Sequence, residues 1–319
     1  MATQTAAAYP APRRPPTARR FALGRTERRN LALGLLFISP WIVGFVAFLL
    51  YPFIYTIQIS FTQYSGFGDS LPIGWANYQQ LLRDDLFWTS LYNTLFYTGL
   101  AIPVGVVVAM ALALAMAQPL PEVPVYRAIL YLPSIIPAFA LSFVFVALLD
   151  PARGIFNQAL LALGLPNVNW FGDPGVSKLA LVILAQFGAG QAALIFLAGL
   201  KGIPQPLYEA AMLDGAGTWR KFLNITLPMM TPVILYDLIL GLSQGIQIFT
   251  QIFVIFGNDP PGAPANSTLA YVPYLYNNGF RYGQMGYAAA LAWVLFLITL
   301  VLAVVIFRWS SRWVHYDTD

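Results

Sequence analysis

Six apolar runs alternate along the chain with short segments that hold nearly all of its charge. A spanning helix needs about twenty mostly apolar residues. Runs of that length lie near 31–61, 91–117, 128–149, 179–200, 231–256 and 285–307. The first carries no charge and is longer than a bilayer requires, while the fifth holds one acid, Asp237. The pattern predicts an all-α, polytopic membrane protein with six transmembrane helices.

The intervening segments set the orientation. If the N-terminus is cytoplasmic, the inner segments hold thirteen of the seventeen basic residues. The outer loops keep Arg83, Arg153, Lys178 and Arg281, together with Asp69, Asp84, Asp85, Asp150, Asp173 and Asp259. Cytoplasmic loops collect Lys and Arg, so both termini are expected inside. Residues 1–29, rich in Ala, Pro and Arg, are expected to be a disordered basic tail. Residues 30–319 then form one transmembrane domain with a charged cytoplasmic loop at 201–228. The first apolar run is too long for a signal peptide, and no small-residue cleavage site follows it; a retained anchor is expected. For the outer loop from Thr62 to Ser90, two readings stand: an amphipathic helix at the interface, or a packed cap.

Composition narrows the function classes. The chain has 319 residues, 58% hydrophobic and 9% charged, against roughly 45–50% and about 25% in soluble domains. A net charge of +4 could suggest nucleic acid. Seven basic residues fall in the first thirty positions and the rest sit at the ends of apolar runs, so no nucleic-acid partner is expected. There is no cysteine, and His315 is the only histidine. That removes thiol chemistry and most metal centres, and no metal is expected. No Gly-Lys dipeptide occurs, so a GxxxxGK[ST] phosphate loop is absent.

The cytoplasmic stretch EAAMLDGAGTWRKFLNITLP, from Glu209 to Pro228, interrupts this apolar background. Pro204 and Pro206 mark a helix start, and Glu209 is placed in its first turn, where it suits the dipole. Gly215 is expected to end that helix in the left-handed conformation. Thr218 is expected to cap a second helix that Pro228 closes. Leu207, Ala210, Ala211 and Leu213 would form a small apolar knob beside Glu209 and Asp214. Such an element is either an ordinary interfacial loop or a docking surface.

These residues resemble the cytoplasmic loop of binding-protein-dependent ABC importer permeases, whose pattern is EAA, three residues, Gly, nine residues, Ile, one residue, Leu-Pro. Glu209-Ala210-Ala211, Gly215, Ile225 and Leu227-Pro228 match every position. Pro40, Tyr51-Pro52, Ser60-Phe61, Asn77-Tyr78, Asn93-Thr94, Pro133 and Asn157 are similar to the carbohydrate-uptake branch, maltose-transporter-type first subunit. GNDPPG at 257–262 departs from that branch's Gly-Gly-Pro run. The resemblance implies the ABC importer permease fold in a bacterial or archaeal inner membrane. It implies a second homologous permease, a cytoplasmic ATPase dimer carrying ATP and Mg, an extracytoplasmic solute-binding protein and a carbohydrate substrate. The chain itself would then catalyse nothing and hold no cofactor. Glu209, Ala210, Ala211, Leu213, Asp214 and Gly215 would form the coupling helix that docks on the ATPase.

Candidate pathway groups lie in the fourth and fifth runs. Gln186, Phe187, Gly188 and Gln191 sit mid-run in the fourth, and Tyr236, Gln244, Gln247, Phe249 and Gln251 in the fifth. Positions 244, 247 and 251 share one face of a continuous helix. Amides in lipid are costly unless satisfied, so they face either substrate or neighbouring helices. In the resembled subunit the sugar site uses these two runs, which carries over to Leu184, Phe187, Gly188 and Gln191, and to Gly241, Gly245 and Ile248. Gly188 alone keeps its residue type, and maltose itself is not implied. Gly241 and Gly245 also form a GxxxG suited to close packing. Asp237, about 14 Å past Pro228 at about 1.5 Å per residue, is a pathway acid or a group facing a partner or wet cavity. A polyol or glycerol-3-phosphate permease and an ion-coupled secondary transporter are the alternatives.

Overall fold

The computed structural model describes residues 24–257 and 262–315. Most of the basic tail, 1–23, and the centre of the GNDPPG segment, 258–261, lie outside the described residues. The chain divides after Tyr55 into two units, 1–55 and 56–319.

The described part of the first unit is helical. Helix α1 (Arg25–Phe45) begins inside the segment assigned to the tail, so residues 25–29 form its first turn. Glu27 accepts from the Gly24 amide at 2.8 Å and closes that end. Pro40 is absorbed without a break, and a π-helical segment at Val46–Leu50 leads into α2 (Tyr51–Ser60). No residue of α1 is buried.

The second unit starts with a cap. Strands β1 (Thr62–Gln63) and β2 (Leu71–Pro72) pair antiparallel, and α3 (Ala76–Arg83) follows. The Asn77 amide donates to the Ser60 and Thr62 carbonyls at 2.8 and 3.0 Å, which locks α3 over the hairpin. Leu81 of α3 is buried with Phe87, Tyr271, Tyr274, Tyr287 and Leu291. The outer loop is therefore a packed cap.

Helix α4 (Asp85–Met116) is the longest in this unit, and Asp84 caps it by accepting from the Leu86 and Phe87 amides. The third apolar run does not give a straight span. Helices α5 (Val123–Ile135) and α6 (Ala138–Leu148) meet at 102°. Ile136 precedes Pro137 and takes an extended conformation (φ −69°, ψ 128°), which the proline ring favours for the residue before it. Helix α7 (Ile155–Ala162) lies in the next loop. The fourth run breaks into α8 (Ser177–Gln186) and α9 (Ala189–Gly202), bent by 47°. Then come α10 (Gln205–Leu213), α11 (Thr218–Lys221), a π-helical segment at Phe222–Thr226 and α12 (Leu227–Met229). The fifth run also departs from a single helix: α13 (Thr231–Ile246) ends before α14 (Thr250–Phe256). Helices α15 (Tyr271–Tyr276) and α16 (Met285–Ser310) complete the described fold.

Among the described residues, three helices are long and apolar enough to cross a membrane, and the count reaches six if each bent pair is one span. One of those pairs is α11–α12 with α13, which meet at a bend of 62°. Helix α16 leaves most of its length unburied, with 11% of its most hydrophobic stretch buried. So large an apolar face needs lipid or a protein partner. The interior is packed where α4, α9 and Met230 meet, through Ala109, Ala113, Ala193 and Phe196.

Candidate translocation site and coupling helix

Both breaks in the fourth and fifth runs open onto one space. At the first, Phe187 and Gly188 donate to the Leu184 and Ala185 carbonyls, three residues back rather than four. At the second, Gln247 ends α13 and Phe249 adopts φ −138°, ψ −62° before α14 restarts the helix. Irregular backbone at membrane depth is tolerated where protein or a wet cavity satisfies it. Here the two breaks border a cavity of about 560 Å³.

Gly188 and Gln191 line it from the fourth run. Leu184 lines it from the fourth run too, and Asp237, Gly241, Gln244, Gly245, Gln247 and Ile248 line it from the fifth. Phe187 is not in the wall; its ring stands edge-on to Phe145, with centroids 4.6 Å apart. Tyr236 is also outside the wall and half exposed. The shared helical face expected for 244, 247 and 251 does not exist, because the helix stops at Ile246. The break, not the helical period, brings the three amides to one cavity. A Cβ on Gly241 would meet Ile102 at 3.2 Å, and one on Gly245 would meet Thr98 at 3.0 Å. The GxxxG pair thus packs against α4 while also bordering the cavity.

Sequence reasoning missed the walls supplied by other helices. Tyr97 and Ile102 come from α4, and Ser134 from α5. Nothing in their own runs marks them, since each sits among apolar neighbours. Gln186 is held by the Val182 carbonyl at 2.9 Å. Gln191, Gln244 and Gln247 are exposed to the cavity. The wall therefore offers amides and one carboxylate, a hydrogen-bonding set suited to hydroxyl-rich solutes.

The cytoplasmic stretch folds from its own sequence. Pro204 and Pro206 bracket the start of α10, which opens at Gln205. Glu209 consequently lies beyond the first turn, and dipole stabilisation does not apply to it. Gly215 takes φ +71°. Its amide donates to the Met212 carbonyl, and the Ala216 amide to the Ala211 carbonyl, a Schellman end that leaves glycine the fitting residue. Gly217, not Thr218, occupies the cap of α11, and the helical course runs through Pro228 to Met229 instead of closing at the proline.

One face of α10 is anchored and the other is free. The Tyr208 hydroxyl lies 2.9 Å from the Thr226 hydroxyl, and its ring joins the cluster around Phe196 and Met230. Glu209, Ala210, Leu213 and Asp214 are exposed, Ala211 is half-buried, and Leu213 is 91% exposed.

Residues 101–315 match the family described as binding-protein-dependent transport system inner membrane component. The chain belongs to that family. It is therefore a multi-pass inner membrane component with the ABC importer permease fold. It is 34% identical to a probable ABC transporter permease protein, YesP of Bacillus subtilis (strain 168), over 92% of this chain and 95% of that one. It is also 34% identical to the arabinooligosaccharides transport system permease protein AraP of the same organism, over 86% and 88%. Among solved structures it resembles the bacterial alginate ABC transporter crystallised with an alginate pentasaccharide-bound periplasmic protein. That match has a TM-score of 0.77, 25% identity, and covers 89% of this chain and 96% of that one.

Proposed function

We propose that this permease carries a sugar or oligosaccharide across the membrane as half of a pore completed by a second, homologous permease. The observation that carries the reading is the amide-lined cavity between the breaks at Phe187–Gly188 and Gln247–Phe249. Amide groups donate to and accept from hydroxyls, and a break lets helix-end backbone groups do the same without an unsatisfied cost in lipid. Gly188, Gln191, Gln244 and Gln247 are assigned to substrate contact, with Gly241 and Gly245 setting the wall against α4. Phe187, held on Phe145, is assigned to positioning the break. Asp237 is a polar wall group. Carbohydrate chemistry is supported by AraP, named for arabinooligosaccharides, and by the alginate transporter.

The energy comes from ATP on a separate subunit. An ATPase dimer with Mg would dock on α10 through Ala210, Ala211 and Leu213, with Glu209 and Asp214 as charged contacts and Gly215 fixing the turn. Tyr208 would pass the movement to α9 through the Phe196 cluster, and α9 begins at the cavity wall. An extracytoplasmic solute-binding protein would deliver substrate at the opposite end. The alginate transporter, crystallised in complex with its saccharide-bound periplasmic protein, supports that partner. Both termini would be cytoplasmic.

The test is ATP hydrolysis by the complex purified through this chain, with its binding protein, across a panel of neutral and acidic oligosaccharides. Stimulation by a saccharide is expected. A complex without ATPase activity, with uptake that an ionophore abolishes, would overturn the reading in favour of ion coupling.

A further inference from the structure

A second cavity, of about 650 Å³, lies at the end of the bundle opposite α10. Trp88 and Tyr92 of α4 and Lys178 of α8 border it, along with the loop at Ala265–Ser267. Most polar groups here are already occupied. The Trp88 indole donates to the Leu82 carbonyl, and the Asn93 amide to the Asn266 and Leu269 carbonyls. The Ser267 hydroxyl pairs with that of Ser177 at 2.9 Å. Asp173, on the adjoining loop, accepts from the Gly175 amide. What remains without a hydrogen-bond partner is the Lys178 ammonium, which lies on the rings of α4. Lys178 Nζ sits 4.9 Å from the Tyr92 ring centre and 5.4 Å from that of Phe96. Cation–π contacts hold the ammonium on one side and leave its other donors for a ligand. Among the described residues no carboxylate pairs with it.

The cavity lies on the same track as the amide-lined one. A narrow space between them shares Asn93, Lys178 and Ser267 with the outer cavity, and Tyr97 and Ile248 with the inner one. We propose that the outer cavity is an entry subsite for a saccharide bearing an anionic group, with Lys178 recognising the charge and Trp88 and Tyr92 offering stacking faces. The inference rests on the reading of the chain as a saccharide permease and adds the charge class of its substrate.

The experiment uses the whole transporter complex in phosphatidylcholine nanodiscs. Binding of tetragalacturonate, cellotetraose and glycerol 3-phosphate is titrated to the parent, Lys178→Gln and Lys178→Arg complexes. Tetragalacturonate is expected to bind the parent about tenfold tighter than cellotetraose, a ratio worth about 1.4 kcal/mol. The preference should vanish in Lys178→Gln and largely return in Lys178→Arg. Equal binding of the two tetrasaccharides, no binding of either, or a preference that survives Lys178→Gln would overturn the subsite. Preference for glycerol 3-phosphate over tetragalacturonate would overturn its saccharide character. Phosphatidylglycerol retained by the parent and lost in Lys178→Gln, without saccharide binding, would make it a lipid anchor and also overturn it. ATPase stimulation by a neutral saccharide in the same preparation would leave the permease reading standing when the subsite falls. Absence of stimulation by any carbohydrate would remove both.

Discussion

Gly215 shows how a single backbone conformation supports a protein contact. Its φ of +71° costs an L-residue about 1–2 kcal/mol, although open space surrounds the position where a Cβ would go. The penalty therefore falls on the turn after α10 and not on packing. Gly215→Arg is expected to insert normally and to bind substrate, yet to lose uptake while ATP hydrolysis becomes independent of substrate. Uptake at the parent rate would refute the assignment of α10 as the coupling element. Tyr274 is a residue whose role is structural. Its hydroxyl donates to Asp84 Oδ2, which also accepts from Tyr287 at 2.7 Å. Burial first, and then the bond to Asp84, push the Tyr274 phenol from 10 up to about 12. A raised phenol is neutral in the fold while its unfolded counterpart ionises, so its stabilising share is complete below pH 10 and is lost as pH rises towards 12. Tyrosinate absorbance should therefore appear together with loss of the cap between those values. In Tyr274→Phe that coupled step should shrink.

At the scale of elements, α10 is joined to the membrane helices through few side chains, and Tyr208 is the central one. Tyr208→Phe removes a hydroxyl bond to Thr226 and should change coupling little. Tyr208→Ala removes a half-buried ring worth about 2 kcal/mol, and should raise amide exchange along α10 and lower uptake per ATP hydrolysed. Equal behaviour of the two variants would mean the ring is not the link. The sequence made α10 legible because its punctuation is local: prolines on either side of its first residue, a glycine after it, and small residues between. The six apolar runs were legible for a similar reason, since length and apolarity suffice. The breaks inside them were not. Pro137 explains one bend, and Gly188, Gly190 and Gly245 stand at the others among glutamines, but glycine is also frequent within unbroken membrane helices, so tertiary packing decides where the helix stops. The cavity followed the same rule. Its amides could be named from the sequence, whereas Tyr97, Ile102 and Ser134 enter the wall by the path of other helices. Lys178 was read as one of four basic residues in outer loops, and only the fold brings it to Tyr92 and Phe96.

For the whole molecule, the two cavities pose a question of passage. The space between them is about 10 Å³, roughly what one water needs, about 10–15 Å³. No saccharide fits through it. Leu181, Ile248, Ile252 and Ala270 pack into a buried apolar cluster at that level, so the two cavities of this chain do not communicate. If the proposed entry subsite feeds the inner cavity, import requires movement that separates α8 from the segment at 248–252, and ATP binding below is the proposed source. The cysteine-free sequence makes this directly measurable. Gln247→Cys places a thiol in the inner cavity, and Trp75→Cys places one on the exposed outer cap. With a membrane-impermeant thiol reagent added outside, Trp75→Cys should react rapidly and Gln247→Cys slowly in the nucleotide-free complex. ATP with the loaded binding protein should speed the second reaction without changing the first. Ile252→Ala, which thins the apolar cluster, should speed it even without nucleotide. A Gln247→Cys thiol as reactive as that of Trp75→Cys from the start would show that no barrier lies between the cavities. A slow reaction untouched by both ATP and Ile252→Ala would place the path elsewhere, on the side that the second permease supplies.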